Sequence, residues 1–281
     1  IISSIRNIGM VTAEGKLGEV SIEAGYCLGE IGVAAVKRGL EKVAIEAVSY
    51  LREIGLAAVK RGLEKEMFEI VVCLREIGMA AAEKWFLSTI KNVAEEKRFE
   101  KTIRETAFSF KEISILTSRR NFERTTEEAV RSLEEMGVAV GRRKLEEAAL
   151  EIALSLGEIG VIAVKDGFEE IAQLAVDFLK GIGKISAEND LERATGRAAR
   201  SLGEIGIVSV ENKLKKAKRF EKIAHSAALC LMEIGMAAKE KRLREAKENA
   251  ILYLEGISIT AREKKLRRVA ELIESFQNKL E

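Results

Sequence analysis

Ala47-Val48-Ser49-Tyr50-Leu51-Arg52-Glu53-Ile54-Gly55-Leu56-Ala57-Ala58-Val59-Lys60-Arg61-Gly62-Leu63-Glu64 is the stretch on which the fold turns, because close variants of it recur along the chain. With Gly55 as position 0, the equivalent residues are Gly9, Gly32, Gly78, Ser114, Gly137, Gly160, Gly183, Gly206, Gly235 and Ser258, which makes eleven copies. The step is 23 residues, apart from 13 extra between Gly78 and Ser114 and six extra between Gly206 and Gly235. A fixed period of this length marks an array of one small stacked unit.

Position −4 is Leu in most copies, with Ile5 and Phe110 as variants, and position −1 is Ile except at Met136. Position +8 is always Leu or Phe, as in Leu63 and Phe168, while −8 is mostly Ala, Ile or Val and −12 is often apolar. Spacings of 4, 4 and 3 trace one face of an α-helix and not the alternation of a strand. The spacing predicts a first helix over −13 to −1, a break at the Gly or Ser, and a shorter helix over +1 to +7. The expected fold is an all-α solenoid of about eleven 23-residue helical-hairpin repeats, with its core at −8, −4, −1 and +8. The alternative runs one helix straight through position 0 and turns at Arg61-Gly62-Leu63-Glu64. It reverses the direction of each successive helix, and so places identical residues in different surroundings.

The run from Ala47 to Gly55, followed by Val59 and Leu63, resembles HEAT-like repeats, in which a helix ending Leu-x-x-Ile-Gly precedes a second helix with apolar residues near +4 and +8. The HEAT-like unit is longer, and this chain has neither the Asp often found after that Gly nor the Pro of the second helix. The form SLGEIG…AAVKRGLE is also similar to repeats in uncharacterised prokaryotic, especially archaeal, proteins. The resemblance implies a helical array and says little of function.

Of the 281 residues, 47% are hydrophobic and 33% charged, with no Pro, which suits a helical array with a sizeable buried core. No low-complexity spacer divides the chain, so one array over 1–281 is expected, with insertions near 86–98 and 213–218 and a cap helix over 267–281. A net charge of +2 gives no global attraction to polyanions. No apolar run reaches the length of a membrane span and no secretory signal is visible, so no membrane partner is expected. Residue 1 is Ile and falls inside a helix of the repeat, from which we expect a longer natural chain. Cys27, Cys73 and Cys230 all fall at −5. Stacked about 20 Å apart, two such units hold Cys27 and Cys73 too far from each other for a disulfide or a shared metal. A reducing cytoplasm follows.

Position −5 carries Ser or Cys in eight copies and an aromatic at Tyr50, Phe178 and Tyr253. It reads either as a tight seam between helices or as a groove floor with aromatic anchors. Trp85, the single Trp, is a further candidate anchor for a protein or peptide. Lys213, Lys215, Lys216, Lys218, Arg219 and Lys222 form the densest basic patch and are the candidate polyanion contacts, although no aromatics are interleaved for base stacking. The Glu at −2 and the basic residues at +5 to +7 read as solvated helix faces. His225 is the single His, so no zinc-protease helix motif is present. Lys180-Gly181-Ile182-Gly183-Lys184 lacks the spacing of a phosphate loop. These observations point to a non-catalytic scaffold for protein or peptide, possessing no cofactor or metal site, with nucleic-acid binding through the basic insertion as the alternative.

Overall fold

The computed structural model describes residues 1–15, 18–88, 93–212 and 217–280, and among these it contains only helices. They are α1 (Ile2–Glu14), α2 (Gly18–Arg38), α3 (Glu41–Arg61), α4 (Glu64–Ser88), α5 (Val93–Arg119) and α6 (Glu123–Arg142), then α7 (Glu146–Asp166), α8 (Glu169–Glu188), α9 (Glu192–Glu211), α10 (Ala217–Glu240), α11 (Arg244–Glu263) and α12 (Arg267–Leu280). The all-α tandem-repeat architecture is as the sequence implies. The hairpin inside each repeat is not. Gly55, Gly160, Gly183 and Gly206 lie in the interiors of α3, α7, α8 and α9, so each 23-residue copy is one continuous helix. Lys180-Gly181-Ile182-Gly183-Lys184 is likewise mid-helix in α8.

The chain reverses at position +7 instead. Gly39, Gly62 and Gly167 have φ of 76°, 78° and 90°, and Asn121, Lys144, Asp190, Arg242 and Lys265 lie between 57° and 63°. Among the described residues these are all the left-handed positions, and all of them occupy +7. The turn after α7 shows the construction. Phe168 donates its backbone N–H to the Ala163 carbonyl at 2.8 Å, and Gly167 donates to Val164 at 3.3 Å. This is the paired bond of a left-handed helix cap. The Phe168 carbonyl then accepts from the Ala172 N–H at 3.1 Å, so a single residue ends one reversal and opens the next helix. Glu at helix starts (Glu64, Glu123, Glu169) and basic residues in last turns (Lys60, Arg61, Arg142) complement the helix dipoles.

Residues 1–139 and 140–281 form two compact units. In the first, α1 packs on α2 and α3, α2 on α3 and α4, and α3 on α4 and α5. In the second, the same rule runs from α7 to α12, so each helix meets the next and the next but one. α12 closes on α10 and α11 with Val269 and Ile273 buried, and Glu274 pairs with Arg262 at 2.6 Å.

Position 0 is small because two side chains press on it. A Cβ on Gly160 would lie 2.4 Å from Ile205 Cδ1, on the next helix but one, and 3.1 Å from Ala175 Cβ, on the next helix. The same pair of neighbours, −1 from the next helix but one and −8 from the next, recurs at Gly183 with Ile234 and Ala198 and at Gly206 with Ile257 and Ala227. At these three positions, odd- and even-numbered helices share one environment. The objection to alternating helices fails for that reason. Gly55 differs, since its added Cβ would meet Met67 and Ile70, both on α4.

The core at −8 and −4 is as expected, with Ala47, Leu51, Ile70, Leu74, Leu156 and Leu179 fully buried. Position −1 is buried from Ile54 onward, but Ile8 in α1 is 52% exposed, since its seat would belong to a helix two places earlier. Position +8 is core in part. The expectation holds at Leu145, Leu191 and Leu243, which are buried, but Leu40 is 50% exposed and Leu63, Phe122 and Phe168 are half-buried, so the turn residue joins the core in only some copies. The missing core layer is +3 and +4, where Ala58, Val59, Ala163 and Val164 are buried.

Several buried hydroxyls make no hydrogen bond, Ser155 of α7 among them. Ser155→Ala removes an unpaired buried oxygen and improves helix propensity, so we expect a gain of about 1–2 kcal/mol in denaturant unfolding of the variant.

Candidate functional site

Position −5 turns out to be the seam. On each helix it lies over −3 of the helix two places earlier. A Cβ on Gly29 would be 3.0 Å from Cys73 Cβ, one on Gly157 2.3 Å from Ser201 Oγ, and one on Gly203 2.2 Å from the Tyr253 ring. Ser201 also donates its hydroxyl to the Ala153 carbonyl of α7 at 3.1 Å. Tyr253 packs on Gly203 and is half-buried, and Phe178 is 8% exposed. Where −3 is Arg6, its guanidinium lies over the Tyr50 ring, 5.4 Å from the centroid, and pairs with Glu53. The side chains of Trp85, Lys218 and Arg219, and residues Lys213, Lys215 and Lys216, lie outside the described residues. Of the basic patch, Lys222 is described and exposed. His225 is half-buried on α10.

The same geometry corrects the cysteine spacing. Two copies apart means side by side, as Cys73 against Gly29 shows, and not about 20 Å apart. All three cysteines are free thiols, with Cys27 exposed and Cys73 and Cys230 buried. Burial first, then Glu76 and Glu69, pushes the Cys73 thiol up to about 12, and burial pushes Cys230 up to about 11 against the pull of Lys180. Thiolate is the reactive form. With iodoacetamide at pH 8, mass spectrometry of the folded protein should find Cys27 alkylated well before the other two. A buried thiol held protonated favours the folded state below the ordinary thiol pKa, and this contribution fades as pH rises toward 11 to 12.

Ion pairs run along the same seam. Arg52 reaches Glu112 at 3.5 Å, and Glu233 takes both Lys180 at 2.7 Å and Lys184 at 3.3 Å. The hydrogen bond from Lys180 is the main cause of the lowered Glu233 pKa and of the raised Lys180 pKa. These pairs are only part-buried and contribute little to stability. They fix which Glu faces which cation between neighbouring helices.

Among the described residues, an open groove of ≈ 580 Å³ lies between α1 and α3. Met10, Leu56 and Ala57 supply its apolar lining, and Arg6, Glu14, Glu53, Lys60 and Arg61 its charged lining. Sequence reasoning missed it because it joins two helices 46 residues apart, and nothing local marks them as neighbours. Among the described residues no cluster of three or more His, Cys, Asp or Glu could hold a metal ion, and no helix is long and apolar enough to cross a membrane.

No protein-family model matches the chain, and none of the curated proteins compared with it matches. Among solved structures it is similar to one described as a circular tandem repeat protein with novel repeat topology and enhanced subunit contact surfaces. That likeness has 11% identity and a TM-score of 0.41 over 99% of this chain and 75% of the other.

Proposed function

We propose that the chain is a non-catalytic scaffold that holds a protein or peptide segment in grooves between alternate helices. The observation that carries this reading is the open, part-apolar groove over α1 and α3. Helix pairs with such grooves commonly receive side chains of extended or helical partners. We also read the repeats as HEAT-like when taken two at a time. Two copies span 46 residues and make one antiparallel helix pair, which is the length of HEAT and armadillo units. On this reading 1–281 acts as one array, a sensing or regulatory arm of a larger prokaryotic-type protein. Free thiols at Cys27, Cys73 and Cys230 favour a reducing cytoplasm for it.

Selection of a random linear-peptide library against the full chain tests the proposal. Enriched peptides should bind with a shallow salt dependence. A steep loss of RNA affinity with salt, removed by changing Lys215, Lys216 and Lys218 to Glu, would instead support polyanion binding.

A further inference from the structure

Resting on the scaffold reading, we infer that the groove between α1 and α3 takes an acidic peptide segment that seats one apolar side chain against Met10 and Leu56. The lining sets both halves of that preference. Met10 and Leu56 are the +1 residues of alternate helices, both half-buried, and they leave apolar surface open in a groove of ≈ 580 Å³. That volume is in the range of sites that enclose a small ligand, here one or two side chains.

The charges are not balanced. Arg6 is already committed, to Glu53 by an ion pair and to the Tyr50 ring by a cation–π contact. Glu53 is thereby neutralised. Lys60 and Arg61, in the last turn of α3, are exposed and make no ion pair among the described residues. Of the two lining carboxylates, Glu53 is paired with Arg6 and Glu14 makes no ion pair among the described residues. The uncommitted lining charges are thus two cations against one carboxylate, a surplus of one positive charge beside an apolar floor. A peptide with an apolar residue close to Asp or Glu matches that combination. A nucleic acid matches the cations but leaves the floor unused.

The test uses the full chain and a fluorescein-labelled peptide with one Leu flanked by Asp and Glu. Controls are the same peptide with Ser for Leu, the same peptide with Lys for the acids, and an oligodeoxythymidine of equal charge. By anisotropy the acidic Leu peptide should bind about tenfold or more tighter than its Ser form, as expected for burying one Leu. Lys60→Glu with Arg61→Glu should weaken it about tenfold, from two exposed charge contacts. Leu56→Ser should weaken it while leaving the oligonucleotide unaffected, and Lys264→Glu with Lys265→Glu should change nothing. Circular dichroism confirms that each variant is folded. Equal binding of acidic and basic peptides, or of peptide and oligonucleotide regardless of Leu56, overturns the inference. If library-selected peptides bind but ignore Lys60, Arg61 and Leu56, the scaffold reading stands and the groove assignment falls. If no peptide binds at all, both fall.

Discussion

Gly183→Leu will unfold the stack around α8, while Gly181→Ala, two residues away in the same helix, will strengthen it. A Cβ at Gly183 would lie 2.4 Å from Ile234 Cδ1, 3.0 Å from its Cγ1 and 3.2 Å from Ala198 Cβ, whereas at Gly181 nothing lies within 4 Å. Adding a side chain to a full core costs roughly 1–3 kcal/mol, and a whole Leu here stands at or beyond the upper end. Ala for a helical Gly whose added Cβ meets nothing contributes about 0.8–1 kcal/mol. The two substitutions therefore have opposite signs. Urea titrations followed by circular dichroism will read them. Ile234→Val removes Cδ1, so it should offset part of the smaller change Gly183→Ala. A double-mutant cycle with no coupling between the two would show that the Gly is small for some other reason.

Phe110→Ala carries the second large effect. Phe110 stands at −4, where nearly every other copy has Leu, and it is among the largest fully buried side chains in the structure. Its truncation should cost about 3–5 kcal/mol, through lost burial and the cavity left behind. Phe110→Leu restores the residue usual at that position and should cost only about 1 kcal/mol. Equal losses for the two would mean that the site relaxes around any smaller side chain, against a closely packed −4 layer.

What the sequence revealed and what it hid have one physical root. The apolar stripe at −12, −8, −4 and −1 made the helix and its buried face plain. That stripe does not stop at position 0. It continues to +3 and +4, as Ala58 and Val59, with no shift of phase, and an unshifted stripe means an unbroken helix. A small residue at position 0 fits either a turn or a close approach, and at Gly55 it serves the approach, since an added Cβ would lie 2.7 Å from Met67 Cε. The true reversal was marked at +7, where Gly39, Gly62, Asn121, Gly167 and Asp190 are all residues suited to left-handed backbone. Lys144, Arg242 and Lys265 sit in the same conformation and blur that signal. The groove was hidden for a different reason. Arg6 and Glu53 come together only once alternate helices are known to lie side by side.

The shared surroundings of odd and even helices at Gly160, Gly183 and Gly206 bear on how such a chain can change length. A protein assembled from two-helix modules gains or loses them in pairs, since a lone helix would arrive pointing the wrong way. Here the contacts at Gly160, Gly183 and Gly206 are indifferent to whether a helix is odd or even in the series. Duplication or loss of a single copy within such a stretch turns every later helix end for end, and each one still finds its accustomed partners. Growth can proceed one helix at a time, and parity is no barrier to it.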